Sequence, residues 1–301
     1  MPGELQIPQW EWWIVLYFFT GGIAAGAYLV SSVIELVGEE ADRPVARMGY
    51  YIAFAMLPII LIALILDLGQ PLRFWHMVVY SRTFLPWPVW DSPMSVGAYA
   101  LLVFGLFSTL SFLDTLVETG RLRWAPLRMK YSGTPRLIYA ILGGLAAFFL
   151  ASYTGVLLAT THLPVWADTP MLGALFLASG ASTGVAAVVL GLIGTGTDVG
   201  PAMVKLRRLD IMALVLELIL LVAMLLWLGS NAATLLSGIS GILLIGGVIL
   251  IGLVVPLVIE LFPGFRRFRG TTRIIVGSAL LILLGGLILR TVVVMGGQGL
   301  L

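Results

Sequence analysis

The segment Leu66–His76, LDLGQPLRFWH, places an acid, an arginine and a histidine at the end of a long apolar run. Asp67 stands where that run ends, and a carboxylate there is unfavourable because a helix C-terminus carries partial negative charge. We therefore expect a positive partner, either Arg73 across the following turn or Arg290 at the same membrane face. Two interpretations stay open. One is a structural ion pair that holds the loop, and the other is a carboxylate that receives protons beside a redox site.

Two tyrosines lie within apolar runs, at similar depths from the same predicted membrane surface. Tyr153 belongs to the stretch YTGVLLA, where Thr154 and Gly155 leave space beside the helix for a flat ligand. Tyr17 lies in the first apolar run of the sequence. A buried tyrosine hydroxyl usually has a hydrogen-bond partner. The partner is a bound ligand in one interpretation and a neighbouring group of an ordinary packed core in the other.

The composition defines the medium in which these groups work. Of the 301 residues, 60% are hydrophobic and 11% are charged, whereas soluble domains carry about 25% charged residues. The protein therefore has too little polar surface for a globule in water, and we predict a polytopic membrane protein. The net charge of +2 gives no indication of nucleic-acid binding. Because cysteine is absent, the sequence supplies no thiolates for an iron–sulfur cluster.

A membrane-crossing helix needs about 20 apolar residues, and backbone groups in lipid must be hydrogen-bonded within the segment. We therefore predict an all-α integral membrane protein with eight transmembrane helices, at about 13–37, 46–67, 94–116, 137–160, 171–194, 210–228, 239–261 and 273–295. Two four-helix bundles, residues 1–165 and 166–301, are the expected domains. No loop is long enough for a soluble domain.

The basic residues indicate the orientation. The loops after the even-numbered spans hold only Arg73 and Arg82, and both termini are expected outside because cytoplasmic loops carry the excess of Lys and Arg. Trp10, Trp12, Trp13, Trp87, Trp90 and Trp166 are expected near the outer surface as an interfacial belt. The predicted inner loops hold Arg43, Arg47, Arg121, Arg123, Arg128, Lys130, Arg136, Lys205, Arg207, Arg208, Arg266, Arg267, Arg269 and Arg273.

Histidine content argues against haem. The sequence has two histidines, His76 and His162, and both lie in or beside predicted outer loops. A pair of b-type haems that carries electrons across the membrane would need four axial histidines on facing helices. We therefore expect neither haem nor a metal site, although methionine is also a possible haem ligand.

Several stretches together resemble the NrfD/PsrC family, the polysulfide-reductase type of integral membrane subunit. They are DLGQPLRFWHM (67–77), SPMSVGAY (92–99), FFTGGIAAGAYL (18–29), YTGVLLA (153–159) and ILRTVVVMGGQ (288–298). The resemblance extends over nearly the whole sequence. It implies a membrane anchor that binds menaquinone or ubiquinone near the outer face. It also implies an iron–sulfur partner subunit on that face and a catalytic subunit, often a molybdopterin enzyme.

The resemblance also implies roles for individual residues. Tyr153 corresponds to the family tyrosine that hydrogen-bonds a quinone oxygen, and Tyr17 falls where the family places a polar quinone contact. Asp67 matches an acidic position that would shuttle protons. Some members carry a further acid a few residues on, where this protein has Gln70 instead, and the difference puts a carboxylate relay in doubt. The remaining candidates are His76, as a donor or acceptor at the site, and Gln70 and Arg73, as quinone contacts.

Two other functions compete with this one. A secondary transporter often shows broken helices and charges near the membrane midplane, and here Glu217 is nearly alone at that depth. A purely structural anchor with a decayed site would have lost polar groups such as Tyr153 and Asp67. The cluster of polar residues at the outer edge therefore favours a site at the membrane surface over a translocation path.

Overall fold

The computed structural model describes residues 10–80, 85–86, 88–122, 134–161, 163–197, 200–262 and 271–301. Within these ranges eight helices are long and apolar enough to cross a membrane, which confirms the all-α class and the predicted number of spans. The predicted inner loops after the third and seventh spans lie largely outside the described residues, as do Arg82, Trp87 and His162.

The first six long helices are α1 (Trp12–Val37), α2 (Arg43–Asp67), α3 (Pro93–Glu118), α4 (Thr134–Ala159), α5 (Leu172–Gly194) and α6 (Gly200–Leu228). Helix α7 comprises Gly238–Ile242, the π-helical Leu243–Val254, and Val255–Leu261. Helix α8 comprises Thr271–Thr291 and the π-helical Val292–Gly296. Short helices cover Glu40–Asp42, Pro71–Met77, Pro164–Ala167, Gly229–Ala232 and Ala233–Leu236, and the strands Val79–Tyr80 and Leu85–Pro86 pair antiparallel.

Most predicted spans agree with the observed helices within a few residues, and the start of α6 is the exception. The sequence predicted that span from residue 210, whereas α6 begins at Gly200. Lys205, Arg207 and Arg208 were assigned to the preceding loop because hydropathy reports burial in lipid rather than helix formation. They lie on the first turns of α6, where lysine and arginine are good helix formers.

The start of α3 follows the local sequence signal. Ser92 is the N-cap residue, its side chain accepts a hydrogen bond from the backbone N–H of Ser95, and Pro93 is the first helical residue. The stretch DSPMS predicted this arrangement, because a serine N-cap satisfies a free N–H and proline suits the first turn. This start fixes the backbone carbonyl of Pro93 at the edge of the bundle.

Helix α1 lies at the centre of the protein and packs against α2, α4 and α5. Its most apolar window is 83% buried, against 28% for α3, so α1 is the helix most enclosed by protein. Gly26 of α1 crosses Gly180 and Gly184 of α5 so closely that a Cβ atom on Gly26 would strike the α5 backbone. The small residues in α1 predicted close helix packing, and the structure confirms it at this crossing.

The two ends of the bundle differ in chemistry. The basic end, where α1 ends and α2 begins, holds a buried carboxylate of Glu35 that forms ion pairs with Arg43 and Arg136. At the same end, Lys205 of α6 contacts Asp42 with an N–O distance of 2.6 Å. These ion pairs join the first four helices internally and link them to α6.

The opposite end, which we call the aromatic end, holds Trp10, Trp90 and Trp166. The backbone N–H of Trp10 donates to the Gln298 side chain at 2.8 Å, and the Gln298 amide donates back to the Trp10 carbonyl at 3.0 Å. The indole of Trp166 donates to the Val293 carbonyl at 2.7 Å. That carbonyl lies in the π-helical segment of α8, where the wider helix leaves carbonyl groups available.

Candidate functional site

Tyr153 lies on α4 near the aromatic end, and its side chain reaches the start of α3. Its hydroxyl donates to the Pro93 carbonyl at 2.5 Å. The ring packs against the bare Cα of Gly97, where a Cβ atom would collide with the ring and the hydroxyl. Phe149 stacks beside it, with ring centroids 6.0 Å apart. The N-cap of α3 and the absence of a side group at Gly97 therefore determine the position of this phenol.

Tyr17 lies on α1 at a similar depth and is only 3% exposed. Its hydroxyl makes no hydrogen bond to any other described residue. The hydroxyls of Tyr17 and Tyr153 are close enough to interact electrostatically. The structure therefore brings together two residues that lie 136 positions apart in the sequence (153 − 17), and it leaves one of the two phenols free to donate.

Asp67 ends α2 at the aromatic end and is half-buried. Among the described residues its charged neighbour is Glu11, at the start of α1, and it forms no ion pair with Arg73 or Arg290. The expected pairing with one of these two arginines is therefore not observed in the described part of the protein. Asp67 remains an acid without an observed counter-charge beside water.

Gln70, Arg73 and His76 lie on the exposed loop that follows α2. His76 stacks on Trp75 with ring centroids 3.7 Å apart, and its Nδ1 lies 3.2 Å from the Arg73 carbonyl. All three candidates are exposed, and the structure does not bring them to the buried tyrosine pair. The candidate residues therefore divide into a buried set, Tyr17 and Tyr153, and a surface set, with Asp67 at the edge.

A second buried polar cluster surrounds Arg290 of α8, which is 1% exposed. Its Nε donates to the Phe18 carbonyl at 3.0 Å, and its Nη1 donates to Ser179 at 3.0 Å and to the Gly286 carbonyl at 2.8 Å. Gly22 lies against the guanidinium, and a Cβ atom there would collide with it. Arg290 therefore ties α1, α5 and α8 together, one residue from Tyr17.

Glu217 of α6 supplies the negative charge of this cluster. Ser182 donates to its carboxylate at 2.8 Å, and Ser179 lies between Glu217 and the guanidinium. Glu217 interacts electrostatically with Arg290 and is 2% exposed. The sequence identified Glu217 and Arg290 as charges at membrane depth but did not pair them. The two serines one turn apart on α5 were the available signal.

The described residues contain no group of three histidine, cysteine or acidic side chains that could hold a metal ion. Arginine, serine, tyrosine and backbone carbonyl groups make up the two buried clusters. These are groups that hold and move protons or bind an oxygen-bearing ligand.

The eight apolar helices, with ion pairs at one end and buried phenols near the other, define a multi-pass membrane protein with a candidate ligand site beneath its aromatic end. A comparison with protein families agrees with this class. The model described as "Polysulphide reductase, NrfD" matches residues 2–301. The protein therefore belongs to the NrfD family, which confirms the resemblance found in the sequence.

Individual relatives extend over the same length. The membrane-family relative from the polysulfide reductase of Wolinella succinogenes is 30% identical, and the match spans 96% of this protein and 94% of that relative. The NrfD homolog of Haemophilus influenzae is 27% identical over the same shares of both proteins. A selenate reductase subunit from Mesobacillus selenatarsenatis is 32% identical over 83 residues, which are 27% of this protein and 20% of that subunit.

Proposed function

We propose that this protein is the quinone-reactive membrane subunit of a respiratory oxidoreductase complex. The observation that carries the proposal is the pair of buried hydroxyls on Tyr17 and Tyr153, held near one membrane surface. Two relatives are named as single components of larger reductases, one of a polysulfide reductase and one of a selenate reductase. Those names support a place for this protein in a multi-subunit reductase.

The residues around the tyrosine pair suit a quinone. Its carbonyl oxygens accept hydrogen bonds, and its flat ring and isoprenoid tail need apolar walls. Tyr17 has a free hydroxyl to donate, whereas Tyr153 would exchange the Pro93 carbonyl for the ligand. Phe149, 46% exposed on the membrane-facing surface, lies beside Tyr153 and suits entry of the tail from lipid. Menaquinone and ubiquinone both meet these requirements.

Quinone and quinol interconvert by transfer of two electrons and two protons, so the site needs groups that hold protons and a route to water. In the proposal Tyr153 and Tyr17 orient the carbonyl groups, and Asp67 passes protons between the site and the aromatic end. Gln70, Arg73 and His76 lie on the exposed loop between Asp67 and water. We propose that these three residues extend the proton route or contact the head of the quinone.

The aromatic end is the proposed outer side, with both termini there, because the basic residues collect at the other end. An iron–sulfur subunit would dock on the loops at 68–93 and 161–170 and connect the quinone with a catalytic, molybdopterin-containing subunit. Phe74, Trp75 and Trp90 are 49%, 39% and 72% exposed on the first of these loops, and aromatic residues are enriched in protein interfaces. The division into bundles of residues 1–165 and 166–301 also remains a proposal.

A secondary transporter is the second candidate, and the Glu217–Arg290 cluster favours it. The polar content at membrane depth is larger than the sequence indicated, since Ser179 and Ser182 join both charges. The hydrogen bonds of Arg290, however, go to α1, α5 and α8 and fix these helices to one another. A path that opens would have to break them. The tyrosine pair has no evident use in a transporter.

The decisive experiment compares Tyr153→Phe with Tyr28→Phe in the purified complex. Tyr28 is also buried and hydrogen-bonded, to Ser111 at 2.8 Å, but it lies toward the basic end. We expect Tyr153→Phe to weaken quinone binding about tenfold, the effect of about 1.4 kcal/mol, and Tyr28→Phe to leave binding unchanged. Asp67→Asn should slow quinol turnover without weakening binding. Normal binding and turnover in both site variants would refute the proposed site.

A further inference from the structure

A small cavity lies between α5, α6, α7 and α8 near the basic end, apart from the tyrosine pair. Its volume of about 20 Å³ is enough for one water molecule. The polar side chains that line it are Arg207 and Asp210 of α6, Glu260 of α7 and Ser278 of α8. A cavity of this size with polar walls is suited to a hydrogen-bonded water rather than to an apolar ligand.

Two deeply buried groups in this cavity lack hydrogen-bond partners. Asp210 is 5% exposed and Ser278 is 2% exposed. Neither the Asp210 Oδ1 atom nor the Ser278 Oγ atom has a partner among the described residues. Buried polar atoms in native proteins are usually hydrogen-bonded to protein or water, so these two atoms indicate a bound water, a bound proton, or both.

The charges around the cavity point to the proton. Three carboxylates interact here, because Asp210 has Glu260 and Glu217 as its electrostatic neighbours. Glu217 is balanced by Arg290, and Glu260 has Arg207 at 3.8 Å. Asp210 is therefore the carboxylate without a counter-charge among the described residues. An uncompensated charge at membrane depth is costly, and a bound proton removes the cost without a new side chain.

We propose that Asp210 is a reversible proton-binding site, supplied from the basic end through the water-sized cavity. A proton from water at the basic end passes over the cavity water to the Asp210 carboxylate, and it returns by the same route when the acid dissociates. Arg207 is 25% exposed and lies where the cavity meets that end. This site goes beyond the proposed quinone function and does not depend on it.

The site also has a connection to the interior. Glu217 follows Asp210 by seven residues on the same face of α6, about 10 Å farther into the membrane at the rise of a helix. The charge on Asp210 therefore acts on the Glu217–Arg290 pair, which contacts α1 beside Tyr17. Proton binding at the basic end thus has a through-space link to the aromatic half of the protein.

The test uses dicyclohexylcarbodiimide, a reagent that couples to protonated carboxyl groups in apolar surroundings. The full complex in liposomes is treated with the reagent while the pH is varied on one side of the membrane at a time, and adducts are located by mass spectrometry. We expect an adduct on Asp210 that is lost as pH rises on the side of the basic end only. Asp114→Asn, an equivalent change on α3 at that end, should leave this adduct unchanged.

The wild-type measurement decides the question without a variant that has to fold. An unmodified Asp210 at every pH, an adduct independent of pH, or a response to pH on the aromatic side would each overturn the proposal. A second measurement separates the site from the quinone function. In Asp210→Asn, quinone binding at the tyrosine pair should be retained while the response to pH at the basic end is lost.

Discussion

Replacing Gly97 by alanine adds one methyl group directly against Tyr153. In the structure a Cβ atom at this position falls inside the van der Waals radii of the Tyr153 ring and hydroxyl. The Tyr153 ring must therefore shift or rotate away from α3. The hydrogen bond from its hydroxyl to the Pro93 carbonyl is the first contact that such a shift breaks.

The magnitude follows from three terms. Overpacking a buried site costs about 1–3 kcal/mol, and the lost hydrogen bond costs about 1 kcal/mol. Alanine recovers about 1 kcal/mol relative to glycine through its higher helix propensity. We expect Gly97→Ala to lower the free energy of unfolding by about 1–3 kcal/mol, as the sum of the same terms. Displacement of the phenol should weaken quinone binding about fivefold to tenfold, if one hydrogen bond is lost.

Gly105 provides a matched control, because it lies eight residues farther along α3 and has no atom within 4 Å of its Cβ position. Gly105→Ala should leave quinone binding unchanged and keep or slightly raise thermal stability. The assay is quinone titration together with thermal unfolding of the purified complex in detergent. Equal quinone affinity in both variants would show that the position of Tyr153 does not govern the ligand site.

Three further variants test the fold. Glu35→Gln leaves two buried arginines without their carboxylate and should destabilise the protein by about 3–5 kcal/mol, whereas Glu118→Gln, at a partly exposed pair, should cost about 1 kcal/mol or less; unchanged thermal unfolding of the first would contradict a structural role for this ion pair. Gln298→Ala removes three hydrogen bonds, and hydrogen exchange at the start of α1 should rise severalfold. Gly184→Ala should reduce the yield of folded protein because its Cβ meets the α1 backbone, while Gly194→Ala, in open space, should not.

The sequence predicted the helices well because lipid imposes a simple rule. A span must be apolar over about 20 residues and must satisfy its own backbone, and both properties can be read locally. The rule fails at the start of α6, where the helix continues past the membrane boundary into a charged turn. It also did not predict the short strands Val79–Tyr80 and Leu85–Pro86, which form through pairing rather than hydropathy.

The site was predictable only in part, because contacts between distant residues decide it. The residue types at Tyr17 and Tyr153 indicated a ligand, but their proximity depends on how α1 packs against α4. Glu260 was interpreted as an acid that reaches water at the helix end, yet it is 7% exposed. Asp210 was assigned to the edge of a span and received no role. Its seven-residue spacing from Glu217 was the signal for a shared buried face.

Arg290 determines how the two buried clusters affect each other. Its guanidinium contacts the carbonyl of Phe18, the residue after Tyr17, and its charge is balanced by Glu217 on α6. A change in charge at Glu217 therefore acts on a group bonded directly to the backbone that carries Tyr17. Removing that charge leaves a buried, unpaired guanidinium, whose cheapest relief is a shift away from α1. The position of Tyr17 is consequently set by the last four helices as well as by its own.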